Sequence, residues 1–137
     1  MLLIKECDYG IRIIRALSDG ALKTVEVIST AEVIPYQYAY KILKKLERAG
    51  FVQGIRGRDG GYQLSKLLDS FTLYDVVIAI DENIFVHECL RDGNSCPHKD
   101  EGNGTPCTVH HEFNRIQKLI MDEMQKKNMQ EVLQIKE

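Results

Sequence analysis

Three of the four cysteines, Cys89, Cys96 and Cys107, fall within nineteen consecutive residues, and His110 follows three positions after the last. Six residues separate the first pair and ten the second. Three thiols and an imidazole make a plausible four-ligand site, and soft thiolate donors suit an iron–sulfur cluster or zinc. Cys107 opens a helical pattern, so the positive end of that helix would help to hold an anionic thiolate or cluster. Cys7 sits on an apolar helical face and is expected to pack as a small hydrophobe, becoming a ligand only if its helix approaches the loop. His87 and His98 are expected to be solvated, and His111 points about 100° away from His110 on a helix.

The compartment decides how such cysteines are read. No apolar run approaches the roughly 18 residues of a membrane span. Lys5, Glu6 and Asp8 interrupt the start of the chain, which shows no signal-peptide pattern. The expectation is a cytoplasmic protein, where cysteines are ligands or redox groups rather than structural bridges.

A second group of residues points to a polyanion. The net charge is −2, but residues 1–66 hold 11 Lys/Arg against 7 Asp/Glu, and residues 67–137 hold 7 against 13. Within the basic half, a helix over 35–49 divides cleanly by face. Ala39, Ile42, Leu43, Leu46 and Ala49 fall in one arc of about 120°, the expected core side. Tyr36, Gln37, Tyr40, Lys41, Lys44 and Arg48 share another arc of about 140°. Amide, phenol and ammonium groups near a helix start suit base edges and phosphates in a major groove. Downstream, Arg56-Gly57-Arg58-Asp59-Gly60-Gly61 reads as a hairpin turn, and arginines on a narrow tip can reach phosphates or a minor groove.

These groups need elements to position them. Ile4, Cys7, Ile11, Ile14 and Leu17 give a helix over 3–17, stopped by Gly20. Thr24 caps a short helix over 25–30 that buries Val25 and Ile28. Pro35 opens the helix already described, and Gly50 closes it. Strands are expected over 51–55 and 62–64. A capping box from Thr72 to Asp75 starts a helix to about residue 80. Residues 83–106, rich in Gly, Asn and Pro, read as a long irregular loop. From 107 to about 127, Val109, Phe113, Ile116, Ile120 and Met124, with Leu119, form a near-heptad apolar stripe. Asn128 and Glu131 cap a last short helix.

The fold class is therefore mainly α with a small β-hairpin: a winged helix-turn-helix domain over 1–82, a cysteine loop over 83–106, and a long helix plus a short one over 107–137. No phosphate-binding glycine loop or nucleophile–base pair is present, so an enzyme with a small-molecule substrate is not expected.

Asp8-Tyr9-Gly10-Ile11-Arg12, Ile42-Leu43-Lys44-Lys45-Leu46, Ala49-Gly50-Phe51-Val52, Ile55-Arg56-Gly57 and Gly60-Gly61-Tyr62, with the three cysteines and the long helix, resemble the IscR/NsrR/CymR family of winged-helix transcription regulators. The resemblance spans nearly the whole chain. It implies a homodimer joined through the long C-terminal helices, bound to double-stranded DNA at a roughly palindromic operator, with no membrane partner. It implies DNA contacts near Tyr36, Gln37, Tyr38, Tyr40, Lys41, Lys44, Arg56, Gly57 and Arg58. It also implies cluster ligation by Cys89, Cys96 and Cys107, as 2Fe–2S or 4Fe–4S. The fourth ligand in the family is a histidine matching His110 or an aspartate from the partner subunit matching Asp8. The expected function is a repressor or other regulator whose DNA affinity follows a cluster sensing redox state, nitric oxide or iron–sulfur status. The competing readings are a zinc-bound or cluster-free thiol-responsive repressor, or an iron–sulfur or protein-interaction module that does not bind DNA. Two departures from the family pattern stand out: the longer interval between Cys96 and Cys107, and the missing serines in Pro35-Tyr36-Gln37-Tyr38.

Overall fold

The computed structural model describes residues 4–91 and 107–135. The order is α1 (Lys5–Ala16), α2 (Val25–Glu32), α3 (Tyr36–Arg48), β1 (Val52–Ile55), β2 (Gly61–Leu64), a 3-10 turn (Leu68–Ser70), α4 (Leu73–Ile80), a second 3-10 turn (Glu88–Leu90), α5 (Thr108–Met124) and α6 (Met129–Val132). This is the mainly helical winged fold that the patterning implies.

Local chemistry fixes most boundaries. The Thr24 hydroxyl accepts from the Val27 N–H at the start of α2. Thr72 with Asp75 and Asn128 with Glu131 form capping boxes at α4 and α6. Gly20 and Gly50 take φ of 80° and 84° and end the preceding helical segments. Val33, between α2 and α3, also lies in the left-handed region at φ 53°, where a β-branched side chain is strained. The wing is one antiparallel hairpin with Val52 opposite Leu64 and Ile55 opposite Gly61. A bridge between Lys23 and Tyr62 ties it to the start of α2. Gly61 permits that approach, because a Cβ there would stand 2.6 Å from the Lys23 carbonyl oxygen.

The core lies between α1, α3 and α4, with Ile13, Ile14, Leu17, Ile28, Ile42, Leu43, Leu46, Val76 and Val77 fully buried. Ala49 is exposed rather than core, since the helix ends one residue earlier and its cap turns outward. Val25 is only partly buried. Cys7 is fully buried, and its Sγ–H points at the Val77 carbonyl at 4.0 Å.

Residues after α5 return to this core. Met129 is completely buried, its N–H donates to the Phe71 carbonyl at 2.8 Å, and Thr72 and Asn128 form a bridge between the two capped starts. The far end of α5 is thereby fixed to the winged domain. Along α5 the apolar residues are not all covered: Leu119 points away from the body, and Val109, in the first turn, lies beside the packed arc but beyond its cover. Phe113, Gln117, Ile120 and Met124 span about 60° around the side turned to the body, whereas Val109 and Leu119 are 58% and 55% exposed. The single buried residue of the helix is a glutamine, Gln117.

Candidate functional site

The polar face of α3 is largely exposed, but its residues are not equivalent. Tyr36, Gln37 and Tyr40 are exposed. Tyr38, also exposed, leans on Tyr9 of α1 with ring centroids 5.9 Å apart. Lys41 is engaged by Glu6 at 3.0 Å, and Lys45 reaches the same carboxylate at 3.3 Å and the Ile80 carbonyl at 3.0 Å. These bonds join α3 to α1 and to the end of α4. They hold the Glu6 carboxyl below its ordinary value, chiefly through the Lys41 hydrogen bond, while burial acts in the opposite direction.

Lys44 faces the wing. Its ammonium stands 5.4 Å from the Tyr40 ring centroid and 5.8 Å from that of Tyr62, with Glu47 at 3.6 Å. The Tyr62 hydroxyl is the main cause that pushes the Lys44 ammonium above its ordinary value. Lys44 is thus a strut between reading helix and wing. Arg56, Gly57 and Arg58 are exposed on the hairpin tip, with Gly57 at φ 117°. Neither arginine has an ion pair among the described residues. The space between the α2 start, α3 and the wing is an open groove of about 800 Å³, bordered by Thr24, Tyr36, Lys44, Gln53, Arg56 and Tyr62. A helix face, a hairpin tip with two exposed arginines and the groove between them form one open, partly cationic surface, a shape suited to a duplex.

The helix-turn-helix turn is anchored from behind. Arg15 of α1 forms a two-pronged pair with Glu32, and Arg12 donates to the Glu32 carbonyl at 3.2 Å. Arg12 also holds Asp8 at 3.0 Å, so the candidate aspartate ligand has an intrachain partner.

The thiol site is built on α5. Cys107 is the N-cap of that helix, and its Sγ accepts from the His110 N–H at 3.5 Å. A sulfur in that position takes the place of a capping oxygen. Cys89 lies in the 3-10 turn Glu88–Leu90, which packs against α5, and is partly exposed, as is Cys107. Cys96 and His98 fall outside the described residues. Among the described residues no three Cys, His, Asp or Glu side chains converge as a complete metal site. Two sulfur donors on touching elements, one of them at a helix start, nevertheless suit a thiolate-bound metal group.

Sequence reasoning missed two residues here. His87 is exposed, yet its ring stacks on Phe113 of α5, with centroids 4.9 Å apart and planes 19° apart, and its Nδ1 accepts from the Cys89 N–H at 3.2 Å. Gln117 Oε1 accepts from the Val86 N–H at 2.7 Å, and its Nε2 donates to the Ile84 carbonyl at 2.9 Å. The available signal was a lone amide in the body-facing arc of an otherwise apolar stripe.

Comparison with known proteins gives a consistent picture. Residues 3–135 match the family model described as Rrf2, iron-dependent transcriptional regulator. A protein of Aquifex aeolicus, described as a candidate HTH-type transcriptional regulator, is 28% identical over 122 residues, covering 89% of this chain and 83% of that protein. Protein aau3 of Rhizobium meliloti is 33% identical over 100 residues, covering 71% of this chain and 65% of aau3, a little under two thirds of its length. Among solved structures, CymR, the global cysteine regulator of B. subtilis, superposes with a TM-score of 0.72 at 21% identity over 98% of both chains. IscR of T. potens superposes with a TM-score of 0.69 at 15% identity, covering 96% of this chain and 85% of that one. No helix among the described residues is long and apolar enough to cross a membrane.

Proposed function

The chain belongs to the Rrf2 family of DNA-binding transcriptional regulators, and on that premise we propose that it acts as a homodimer whose grip on a roughly palindromic operator is set by an iron–sulfur cluster on Cys89, Cys96 and Cys107. The observation that carries this reading is the position of the Cys89 turn, packed on the helix that Cys107 caps. The same helix offers Val109 and Leu119, both largely exposed, for a second copy. A ligand at its start therefore acts directly on the element expected to set the spacing of two reading heads.

His110, in the first turn after Cys107, is the fourth ligand in this reading, with Asp8 of the partner subunit as the alternative. When bound, the group would supply a centre responsive to redox state, nitric oxide or iron–sulfur supply. The chain's own residues do the rest. Tyr36, Gln37 and Tyr40 face base edges, and Arg56 and Arg58 neutralise phosphate or enter the minor groove. Lys44 holds the wing to the reading helix. A difference of a few kcal/mol between DNA-competent and incompetent arrangements is enough for regulation.

Anaerobic purification tests the cluster. Wild-type protein should be coloured and contain iron and sulfide, and Cys89→Ala, Cys96→Ala or Cys107→Ala should bleach it. Colourless protein after anaerobic reconstitution removes the cluster. Zinc without iron or sulfide would instead support a zinc-bound regulator. Metal-free protein whose operator binding changes on thiol oxidation would support a thiol-responsive one, a reading in line with the fold shared with CymR, whose Staphylococcus aureus counterpart has been solved in an oxidized form. Selection from genomic fragments that enriches no DNA site in any of these states would leave only a module without sequence-specific binding.

A further inference from the structure

Gln117 is an unusual residue to bury on a long helix. It is 5% exposed, whereas Val109 and Leu119 on the same helix lie open. Both ends of its amide are used, and both partners are backbone groups of one segment, the Val86 N–H and the Ile84 carbonyl. It thereby acts as a short piece of neighbouring strand, satisfying one donor and one acceptor of residues that belong to no sheet. Three residues beyond Val86 comes Cys89. Between them His87 makes a second attachment, its ring flat against Phe113 and its Nδ1 accepting from the Cys89 N–H. Phe113 and Gln117 are successive turns of α5 on one side, and Cys107 caps that helix.

We propose that Gln117 and His87 are positioning residues that pin the Cys89 arm to α5 and hold its thiol in register with Cys107 before any metal arrives. This deepens the thiol-site reading above and rests on it only for the metal readout. The two attachments divide the work: Gln117 fixes the height of the arm along the helix, and His87 fixes the 3-10 turn that presents the sulfur. Preorganisation of this kind removes an ordering cost from metal capture, and supporting groups of metal sites typically change affinity about tenfold to a hundredfold.

The test uses the full-length apo-protein and four variants. Gln117→Met keeps volume and helix but loses both hydrogen bonds. His87→Phe keeps the stack without the acceptor. His87→Asn keeps an acceptor at nearly the Nδ1 position without the stack. Gln117→Met with His87→Phe removes the Gln117 bonds to the arm and the His87 bond inside it, leaving only the stack. Amide exchange by NMR reads the pins without metal: Val86 should exchange about tenfold faster in Gln117→Met. Cys89 should do so in His87→Phe and not in His87→Asn. The amides of Ile42 and Leu43 serve as a folding control. Titration with Co²⁺, followed by thiolate-to-cobalt charge-transfer absorption, reads the consequence. The Kd should rise about tenfold or more in Gln117→Met, and further in the double variant.

Unchanged exchange at Val86 and Cys89 overturns the pins. Faster exchange with unchanged Co²⁺ affinity overturns their positioning role. If wild-type protein gives no cysteine-dependent cobalt band, the metal reading falls. The pins are then judged by exchange together with the alkylation rate of Cys89, which should change in Gln117→Met while buried Cys7 remains slow.

Discussion

Lys44 on α3 stands over the Tyr62 ring on β2, its ammonium 5.8 Å from the ring centroid, and so ties the reading helix to the wing. A lysine used this way differs measurably from an arginine that meets phosphate. Each phosphate contact contributes about 0.9 to the slope of log K against log salt. Arg56→Ala should therefore weaken operator binding and reduce that slope by about one unit. Lys44→Met should weaken binding by a similar factor at every salt concentration, leaving the slope unchanged. Fluorescence anisotropy across a salt series separates the two. A reduced slope in Lys44→Met would make Lys44 a phosphate ligand instead.

Glu6 gives the pH dependence of the fold. Its carboxyl lies below the ordinary 4.5 because Lys41 hydrogen-bonds to the charged form, helped by Lys45. A depressed carboxyl stabilises the folded state fully above the unfolded value, and that contribution is lost as pH falls through the folded value. Thermal melts should therefore show wild-type stability falling more steeply than that of Glu6→Gln as pH drops below 4.5. At pH 7 Glu6→Gln should be the less stable of the two. Parallel pH profiles would contradict this account.

Val33 holds a left-handed conformation at φ 53° while 81% exposed, so almost no side-chain packing offsets the strain. Val33→Gly should relieve about 1 kcal/mol of backbone strain and raise Tm by roughly 3–5 °C. A lower Tm would show that the glycine's added freedom in the unfolded chain outweighs the strain.

Leu119 tests the outer side of α5. Placing a carboxylate there with Leu119→Glu should weaken self-association at least tenfold, since burial of one leucine contributes about 1.5–3 kcal/mol. Light scattering on a dilution series measures this. A dimer of unchanged strength would move the interface elsewhere.

The parts of the fold set by neighbouring residues were readable from sequence. Thr24, Thr72 with Asp75, and Asn128 with Glu131 announced three helix starts, and each cap is present. Gly57 and Gly61 marked the hairpin. What depends on distant partners was not readable. Lys41 looked free on a cationic face, but its partner is Glu6, 35 residues away, a carboxylate that also takes Lys45, 39 residues away. The α5 stripe read as one seam, but Leu119 is exposed and points away from the arc that packs on the body, because periodicity alone does not say how wide a face is covered. Gln117 and His87 carry no motif at all, and their importance appears only when residues 84–89 are set against α5.

The back-to-back meeting of Thr72 and Asn128, with Met129 sunk in the core behind it, has a mechanical consequence for α5. A rod clamped at one end does not slide when pushed at the other; it swings. With the clamp beside Asn128 and Cys107 at the opposite end, the 17 residues of α5 span about 25 Å, so a tilt of a few degrees at the fulcrum, carrying residues 84–86 along with Gln117, would move Cys107 by an ångström or more.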